Sequence, residues 1–472
     1  MGDVRATAVI LAAGGGTRMK SSVPKVLHRV AGRPLLAYVL RALRPLTLQR
    51  RIIVASARRP EIEAAMRAEG FVDGLTYAVQ DPPSGTADAV RVALETAGPV
   101  EGTLLVVQGA TPLIETATLD ALLHVHREAG PALTILTARL SDPTGYGRVI
   151  KAAGEVQRIV EERDATYEER TVDEINAGVY AFDAAALIQV LDDIGRTNAQ
   201  QEYYLPEVVS LLRARGRDVR AYRTNPQEVL GVKSRRQLAK ASELLRRRAC
   251  ERWMDDGVTV IDPATTYIDA SVTIGRDATI HPFTFLEGAT VVGEGAEVGP
   301  QVRALDSEIG PGARVSFSVV TSSVIGPEAS VGPFASLRPG TRLERGAKVG
   351  TFVETKNSVI GANSKVPHLS YLGDATLGRG VNIGAGTITC NWDGRAKHST
   401  TIDDDVYISS DTMLVAPVHI GARAATGAGA VVTRDVPEDA LAVGAPARIL
   451  EGRGDRMGAG GEVEHEDGKP RQ

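Results

Sequence analysis

The chain is 472 residues long, 43% hydrophobic and near neutral at a formal charge of -4, which suits more than one packed domain and excludes the broad basic footprint of a nucleic-acid binder. It has no run of about 18 apolar residues, and the opening MGDVRAT lacks a signal peptide's apolar region, so the sequence reads as soluble and cytoplasmic with no membrane partner. Cys250 and Cys390, far apart, give neither a disulfide framework nor metal-ligand spacing.

TAVILAAG, Thr7 to Gly14, reads as a buried strand that breaks into the Gly-rich turn GGGTRM, Gly14 to Met19, followed by SSVPK through Lys25. Such a turn lets backbone N–H groups approach a phosphate, and Arg18 and Lys25 add charge where phosphoryl oxygens become negative. Neither G-x-G-x-x-G nor G-K-[ST] fits here. LAAGGGTRM with Pro24 and Lys25 downstream instead resembles the signature of sugar-nucleotide pyrophosphorylases.

Strand-like RIIVA from Arg51, TYAV from Thr76, LLVV from Leu104 and ALTIL from Ala132 alternate with helical stretches. That alternation predicts a doubly wound (Rossmann-like) α/β domain over 1–230, with ligands at the carboxyl ends of its strands. Helical spacing from Ser234 to Trp253, with Leu238, Ala241, Leu244, Leu245 and Ala249 on one side, predicts a connecting helix within 231–257. Its Arg246, Arg247 and Arg248 read as a solvated face.

From about Ile268 to Val432 an aliphatic residue followed by a small one returns every six positions. Examples are IGRDAT from Ile274, VGEGAE from Val292, IGPGAR from Ile309, IGANSK from Ile360, LGRGVN from Leu377 and IGARAA from Ile420. A period of six is neither the helical three-and-four nor the strand's two. Each hexad supplies one short strand with its aliphatic residue inward, and small residues let the chain turn a corner. Three hexads make a triangular turn, and about nine or ten stacked turns share one core. This coil is expected over 258–450, and the Gly-rich, charged tail 451–472 is expected to be disordered.

The order of these parts resembles the family of bifunctional N-acetylglucosamine-1-phosphate uridyltransferases/glucosamine-1-phosphate acetyltransferases of bacterial cell-wall precursor synthesis, over nearly everything to about residue 450. The segments LRPG from Leu337, FVETKN from Phe352, KVPHLSYLGD from Lys365 and NIGAGTITCNWDG from Asn382 match its acetyltransferase motifs. The resemblance implies a left-handed parallel β-helix, an exception to the usual right-handed crossover, and a homotrimer with sites between subunits. It also implies two reactions. Acetyl-CoA acetylates glucosamine-1-phosphate in the coil, and the product, N-acetylglucosamine-1-phosphate, is coupled to UTP in the first domain to give UDP-N-acetylglucosamine and pyrophosphate.

Acetyl transfer to an amine needs a base to take a proton as nitrogen attacks the thioester, and His titrates in a suitable range. By the resemblance His368 is that base, Arg338 and Lys356 hold the sugar phosphate, and Tyr371 and Asn382 contact the sugar. Acetyl-CoA is expected along Ala385, Asn391, Trp392, Ser410 and Ala428. The excursion from Thr389 to Ser399 interrupts the six-residue count and reads as a loop toward a neighbouring subunit, with Lys397 near the cofactor. Arg448, in AVGAPAR from Ala442, is the candidate for the cofactor's phosphates. His281 and His419 read as structural, and Cys390 as a packed small residue, since no step requires a thiolate.

In the first domain the resemblance maps a nucleotide and sugar shell onto Leu11, Ala12, Ala13, Gly14, Lys25, Gln80, Gly85, Thr86, Gly147, Glu161 and Asn176, beside Arg18. Matching segments are SGT from Ser84, GYGR from Gly145, VEERDAT from Val160 and INAG from Ile175. The family holds Mg²⁺ with an Asp in G-D-x-P-L and an Asn or Asp in a G-V-N-like stretch. Here QGATPL from Gln108 and GVKSR from Gly231 put Ala110 and Lys233 at those positions, so no metal ligand is assigned. Mg²⁺ needs carboxylates besides substrate phosphates, and attack on a nucleotide's α-phosphate leans on it. Asp88, where the family often has His, adds negative charge near a triphosphate if it faces the ligand.

Two readings of this domain stay open. Uridylyl transfer is lost or weakened while binding persists, the favoured one because a lone ammonium cannot bridge several phosphate oxygens and a leaving group. Alternatively, Lys233 replaces the ion's charge and transfer survives. A trimeric scaffold with no turnover and a different hexapeptide acyltransferase are the remaining classes. Lys356, His368, Tyr371 and Asn382 together oppose the last.

Overall fold

The computed structural model describes residues 6–453, so nearly all of the tail expected to be disordered lies outside the described residues. Contacts divide the chain into two compact units, Met1–Leu245 and Arg246–Gln472, with the division inside the helix Arg235–Asp255. Among the described residues no helix is long and apolar enough to cross a membrane.

In the first unit the strand Ala6–Leu11 is apolar on both faces because both faces are covered. Ala8 and Ile10 enter one core with Ile53, Leu105 and Val107, while Val9 and Leu11 enter the other with Ile52, Val54, Leu104 and Val106. This is the period of two expected of a sheet sandwiched between helices. The strands run in the order Val219–Arg223, Leu133–Arg139, Glu174–Asp183, Thr103–Gln108, Ala6–Leu11, Arg50–Ala55, Thr76–Val79. Glu174–Asp183 runs antiparallel to both its neighbours, and the hairpin Arg148–Ala152 and Glu155–Val160 pairs beside it. Ala6–Leu11 lies between Arg50–Ala55 and Thr103–Gln108, parallel to each. The chain order therefore reverses there, where such sheets open a crevice at the strands' carboxyl ends. The Gly-rich turn begins at that crevice.

The second unit is a three-faced parallel β-helix of the left-handed hexapeptide class, its faces built from 12, 10 and 9 strands. Ile274, Val292, Ile309, Ile360, Leu377 and Ile420 all sit on the nine-stranded face, in a ladder in which Ile274 pairs with Val292 and Val292 with Ile309. A second face stacks Ile268, Leu286, Ala304, Val320 and Leu337. The small residue after each aliphatic one is required by the next coil. A Cβ on Gly293 would lie 2.5 Å from Pro311 N, and one on Gly361 would lie 2.1 Å from Gly378 O.

Within this unit the basic run is less solvated than its sequence suggests. The Arg246 guanidinium lies 5.0 Å from the Tyr267 ring centroid, and Arg247 stands 3.7 Å from Glu251.

Candidate active sites

Leu11, Ala12, Ala13 and Gly14 leave the central strand at the mouth of a cleft of about 740 Å³, which Arg18, Lys25, Gln80, Gly85 and Thr86 also line. Gly147, Glu161 and Asn176 line an adjoining pocket of about 120 Å³ that shares Lys25 and Lys233 with the cleft. A Cβ on Gly16 would lie 2.9 Å from Lys25 Cβ, so the Lys25 stem is laid along the Gly-rich turn. Burial, then the charges of Lys233 and Arg18, bring the Lys25 ammonium down to a pKa of about 8. Lys233 is also lowered, by burial first, with Glu161 opposing and Arg18 assisting. Burial pushes the Glu161 carboxyl up, against the pull of Lys233. Asn176 is engaged at both ends, donating to the Tyr180 hydroxyl at 2.7 Å and accepting from Gly178 N at 3.0 Å.

In the second unit the chain puts one group of polar side chains at a corner of the coil. Arg338 donates to Glu354 at 2.7 Å. Lys356 has its pKa lowered chiefly by the adjacent Lys397, then by Arg338. Asn357 and Asn391 donate to the two oxygens of Asp374 at 2.7 and 2.6 Å. Burial works against the Asp374 charge, but these hydrogen bonds and the two lysines hold its pKa below the ordinary value. A Cβ on Gly373 would lie 2.4 Å from the Tyr371 hydroxyl and 2.6 Å from Asn391 Nδ2, so Tyr371 and Asn391 close over the same backbone. His368 ends the strand Lys365–His368, exposed, three residues before Tyr371.

Further along the coil, Asn382 pairs with Tyr407, and Tyr407 with Ala425. Ala385, Ser410 and Ala428 each follow one of these by three positions and so recur in successive coils along one edge. Trp392 is 57% exposed on the excursion, which closes on a bridge from Trp392 to Lys397 and on His398 Nε2 2.7 Å from Asp393. Lys397 stands with Lys356 of its own chain, and Arg448 pairs with Val443 in the terminal hairpin. His281 and His419 face Glu297 and Asp403, each at 2.9 Å.

Residues 8–177 match the family of MobA-like NTP transferase domains. Over 93% of its length the chain is 50% identical to the bifunctional protein GlmU of Heliobacterium modesticaldum, covering 95% of that protein. It is 51% identical to the bifunctional protein GlmU of Thermobifida fusca, over 95% of this chain and 93% of the relative. The chain belongs to the GlmU family. GlmU proteins are bifunctional enzymes of UDP-N-acetylglucosamine synthesis.

In this GlmU chain the two positions at which Mg²⁺ ligands are expected lie side by side. Val232 N donates to Ala110 O at 2.8 Å, and Ala110 and Lys233 line the same small pocket. Ala110 offers only a methyl group. Lys233 Nζ donates to Gly145 O at 2.9 Å and lies 4.7 Å from the Tyr146 ring centroid. Thr111 Oγ1 is committed to Gln108 O at 2.7 Å. Glu161 brings one carboxylate to that pocket, and among the described residues no group of three or more His, Cys, Asp or Glu could hold a metal. The protein therefore offers a hard dication one buried carboxylate beside a methyl and an ammonium, where such an ion is held by one or two carboxylates together with substrate phosphates.

Several lining residues escape a sequence reading. Gln200 and Glu202 reach the cleft from a loop with no periodic pattern, held because Tyr203 N donates to Ser84 O and Ala87 N donates to Tyr203 O, both at 2.9 Å. Gly85 is the available signal, since its Cβ would lie 2.5 Å from Tyr203 N and O. In the coil, Asn357 and Asp374 close two of the quoted motif segments, but their pairing, and that of Asp374 with Asn391, shows only in the fold.

Proposed function

We propose that this GlmU chain acetylates glucosamine-1-phosphate with acetyl-CoA on its β-helix, and that its first domain binds uridine nucleotide and sugar phosphate but transfers the uridylyl group slowly or not at all. In the acetylation step the sugar amine attacks the thioester carbonyl, His368 takes a proton from the nitrogen, and CoA leaves as the thiol once that proton is returned. Arg338 and Lys356 hold the phosphate, and Lys397, beside Lys356, serves the cofactor. Tyr371 and Asn382 contact the sugar. Ala385, Asn391, Trp392, Ser410 and Ala428 take the cofactor, with Arg448 for its phosphates.

The observation carrying this reading is the gathering of Arg338, Lys356, Lys397, Tyr371 and Asn391 at one corner of the coil, with His368 three residues before Tyr371 at the end of its strand. The contrast with the first domain supports its second half, because Val232 N donates to Ala110 O at 2.8 Å and so sets Ala110 beside Lys233 at one pocket, where neither side chain carries an oxygen. Assembly as a homotrimer draws support from an exposed apolar ladder. Phe334 and Phe352 are stacked at 5.6 Å and are 54% and 60% exposed, with Leu369 at 60% in the next coil. Isolated monomers rarely leave such a surface open.

Both half-reactions are assayed on one preparation. Acetyl-CoA with glucosamine-1-phosphate is expected to release CoA. UTP with N-acetylglucosamine-1-phosphate and Mg²⁺ is expected to release little pyrophosphate. Pyrophosphate release as fast as that of a GlmU protein with Asp and Asn at these two positions would refute the second half. Ala110→Asp with Lys233→Asn is expected to raise it.

A further inference from the structure

Resting on the reading that the first domain turns over little nucleotide, we infer that Lys233 stands in for the divalent cation as a tethered positive charge. The cleft then holds a uridine nucleotide of the diphosphate class with no metal ion present. The geometry has four parts. First, Lys233 lines the large cleft, the small pocket beside Ala110 and a third adjoining cavity of about 340 Å³, so this one residue borders all three. Second, an ammonium has three N–H donors and Lys233 uses one on Gly145 O, which leaves two for phosphoryl oxygens. Third, the Tyr146 ring at 4.7 Å supports the charge from one side, restricting where the head can go.

Fourth, the large cleft is cationic as a whole. Arg18, Lys25, Arg163 and Lys233 line it against the single acidic lining residue Glu202. Burial first and then neighbouring cations lower both lysines, with Glu161 opposing at Lys233, and a polyanionic diphosphate would relieve that. A dication placed in the same pocket would instead meet the Lys233 ammonium with only Glu161 to offset it. Holding and turnover separate on physical grounds. A point charge on a flexible stem can neutralise a ground-state phosphate, but it cannot bridge attacking, leaving and equatorial oxygens together as a metal ion does.

The test is titration calorimetry of UDP into the full-length protein, in EDTA and then in excess Mg²⁺. UDP is expected to bind in EDTA, with an affinity in Mg²⁺ equal to or weaker than that in EDTA within about threefold, since the ion screens the diphosphate from the cleft's own cations. Lys233→Ala is expected to weaken binding in EDTA by at least about tenfold. Lys233→Gln repeats the test with a stem of similar length should the first variant melt early by circular dichroism. The Ala110→Asp, Lys233→Asn pair is expected to bind poorly in EDTA and to recover with Mg²⁺.

Binding by the parent protein that vanishes in EDTA and returns with Mg²⁺, or no binding in either, overturns the inference. So does a Lys233→Gln protein that binds as the parent does. Rapid pyrophosphate release by the parent with Mg²⁺ is a separate result. It sinks the reading of slow uridylyl transfer, whereas metal-dependent UDP binding without turnover sinks only the tethered-charge inference.

Discussion

Gln80 donates its side-chain amide to Asp88 at 2.7 Å and to the Gly85 carbonyl at 2.9 Å. With two acceptors on its nitrogen, the amide can turn only its carbonyl oxygen toward the cleft that Gln80 lines. The other oxygen of Asp88 is paired with Arg91 at 3.0 Å, and Asp88 does not line the cleft. Its charge is engaged by Gln80 and Arg91, so the condition under which Asp88 would add negative charge near a triphosphate, that it faces the ligand, is not met. Uracil presents an N–H where cytosine presents an acceptor, so a fixed carbonyl oxygen favours uridine. Asp88→Ala frees the amide to turn over, and the preference for UDP over CDP is expected to fall by about fivefold to tenfold, one hydrogen bond's worth. Calorimetry with both nucleotides reads this, and an unchanged preference would count against Asp88 as the positioning residue.

His368 is exposed at the corner where the strand Lys365–His368 ends, three residues before Tyr371. On the proposed mechanism, removing the base leaves the binding groups intact. His368→Ala is expected to lower CoA release from acetyl-CoA and glucosamine-1-phosphate by about 10²- to 10⁴-fold. The sugar phosphate's affinity is expected to change by less than about threefold, because Arg338 and Lys356 remain. A rate equal to the parent's would favour a scaffold without catalysis.

The coil was legible because its physics is local and repeated. One aliphatic residue per hexad must enter the core and the next must be small, and both demands are written in sequence. Much of the first domain was legible for a similar reason, since Val9, Leu11, Ile52 and Val54 belong to continuous apolar strands. What sequence could not display was partnership across long separations. Tyr203 pins Gly85, Asp88 turns Gln80, and Val232 meets Ala110 only after folding. Glu174–Asp183, reversed against its neighbours, has the same apolar composition as a parallel strand, so its direction is invisible without the pairing. The alignment of Ala385, Ser410 and Ala428 along one edge came from the resemblance and not from the repeat count, because the excursion from Thr389 to Ser399 breaks that count between the first two.

The stacking of the coil makes a quantitative demand on its corners. A Cβ on Gly361 would lie 2.1 Å from Gly378 O and 2.6 Å from Leu377 O, and both atoms belong to backbone already committed to the next coil's ladder. Neither can yield as a flexible side chain would. Gly361→Ala is expected to cost about 1–3 kcal/mol or more, read as a lower urea midpoint for the transition of the β-helix. Gly195→Ala, whose nearest neighbour would be Thr197 at 3.8 Å, is expected to stay within about 0.5 kcal/mol. Equal effects from the two substitutions would mean that coil spacing relaxes freely.

Lys25 gives the nucleotide cleft a pH dependence whose sign can be worked out. Its ordinary pKa of 10.5 falls to about 8 in the folded protein, through burial and the nearby charges of Lys233 and Arg18. Between those values the unfolded chain keeps a proton that the folded protein has released, so Lys25 makes the unliganded protein more stable as pH rises through that window. A bound diphosphate acts the other way, since it favours the ammonium and raises the folded pKa. UDP, fully ionised above pH 7.5 or so, is therefore expected to bind with constant affinity up to about pH 8 and then to lose up to about tenfold per unit. Lys233, lowered by burial and by Arg18 but raised by Glu161, bends the profile in the same direction. Arginine does not titrate in this range, so Lys25→Arg is expected to flatten the fall, leaving only the part due to Lys233. A parent protein whose affinity is level from pH 7.5 to 9.5 would show that the Lys25 ammonium does not face the phosphates.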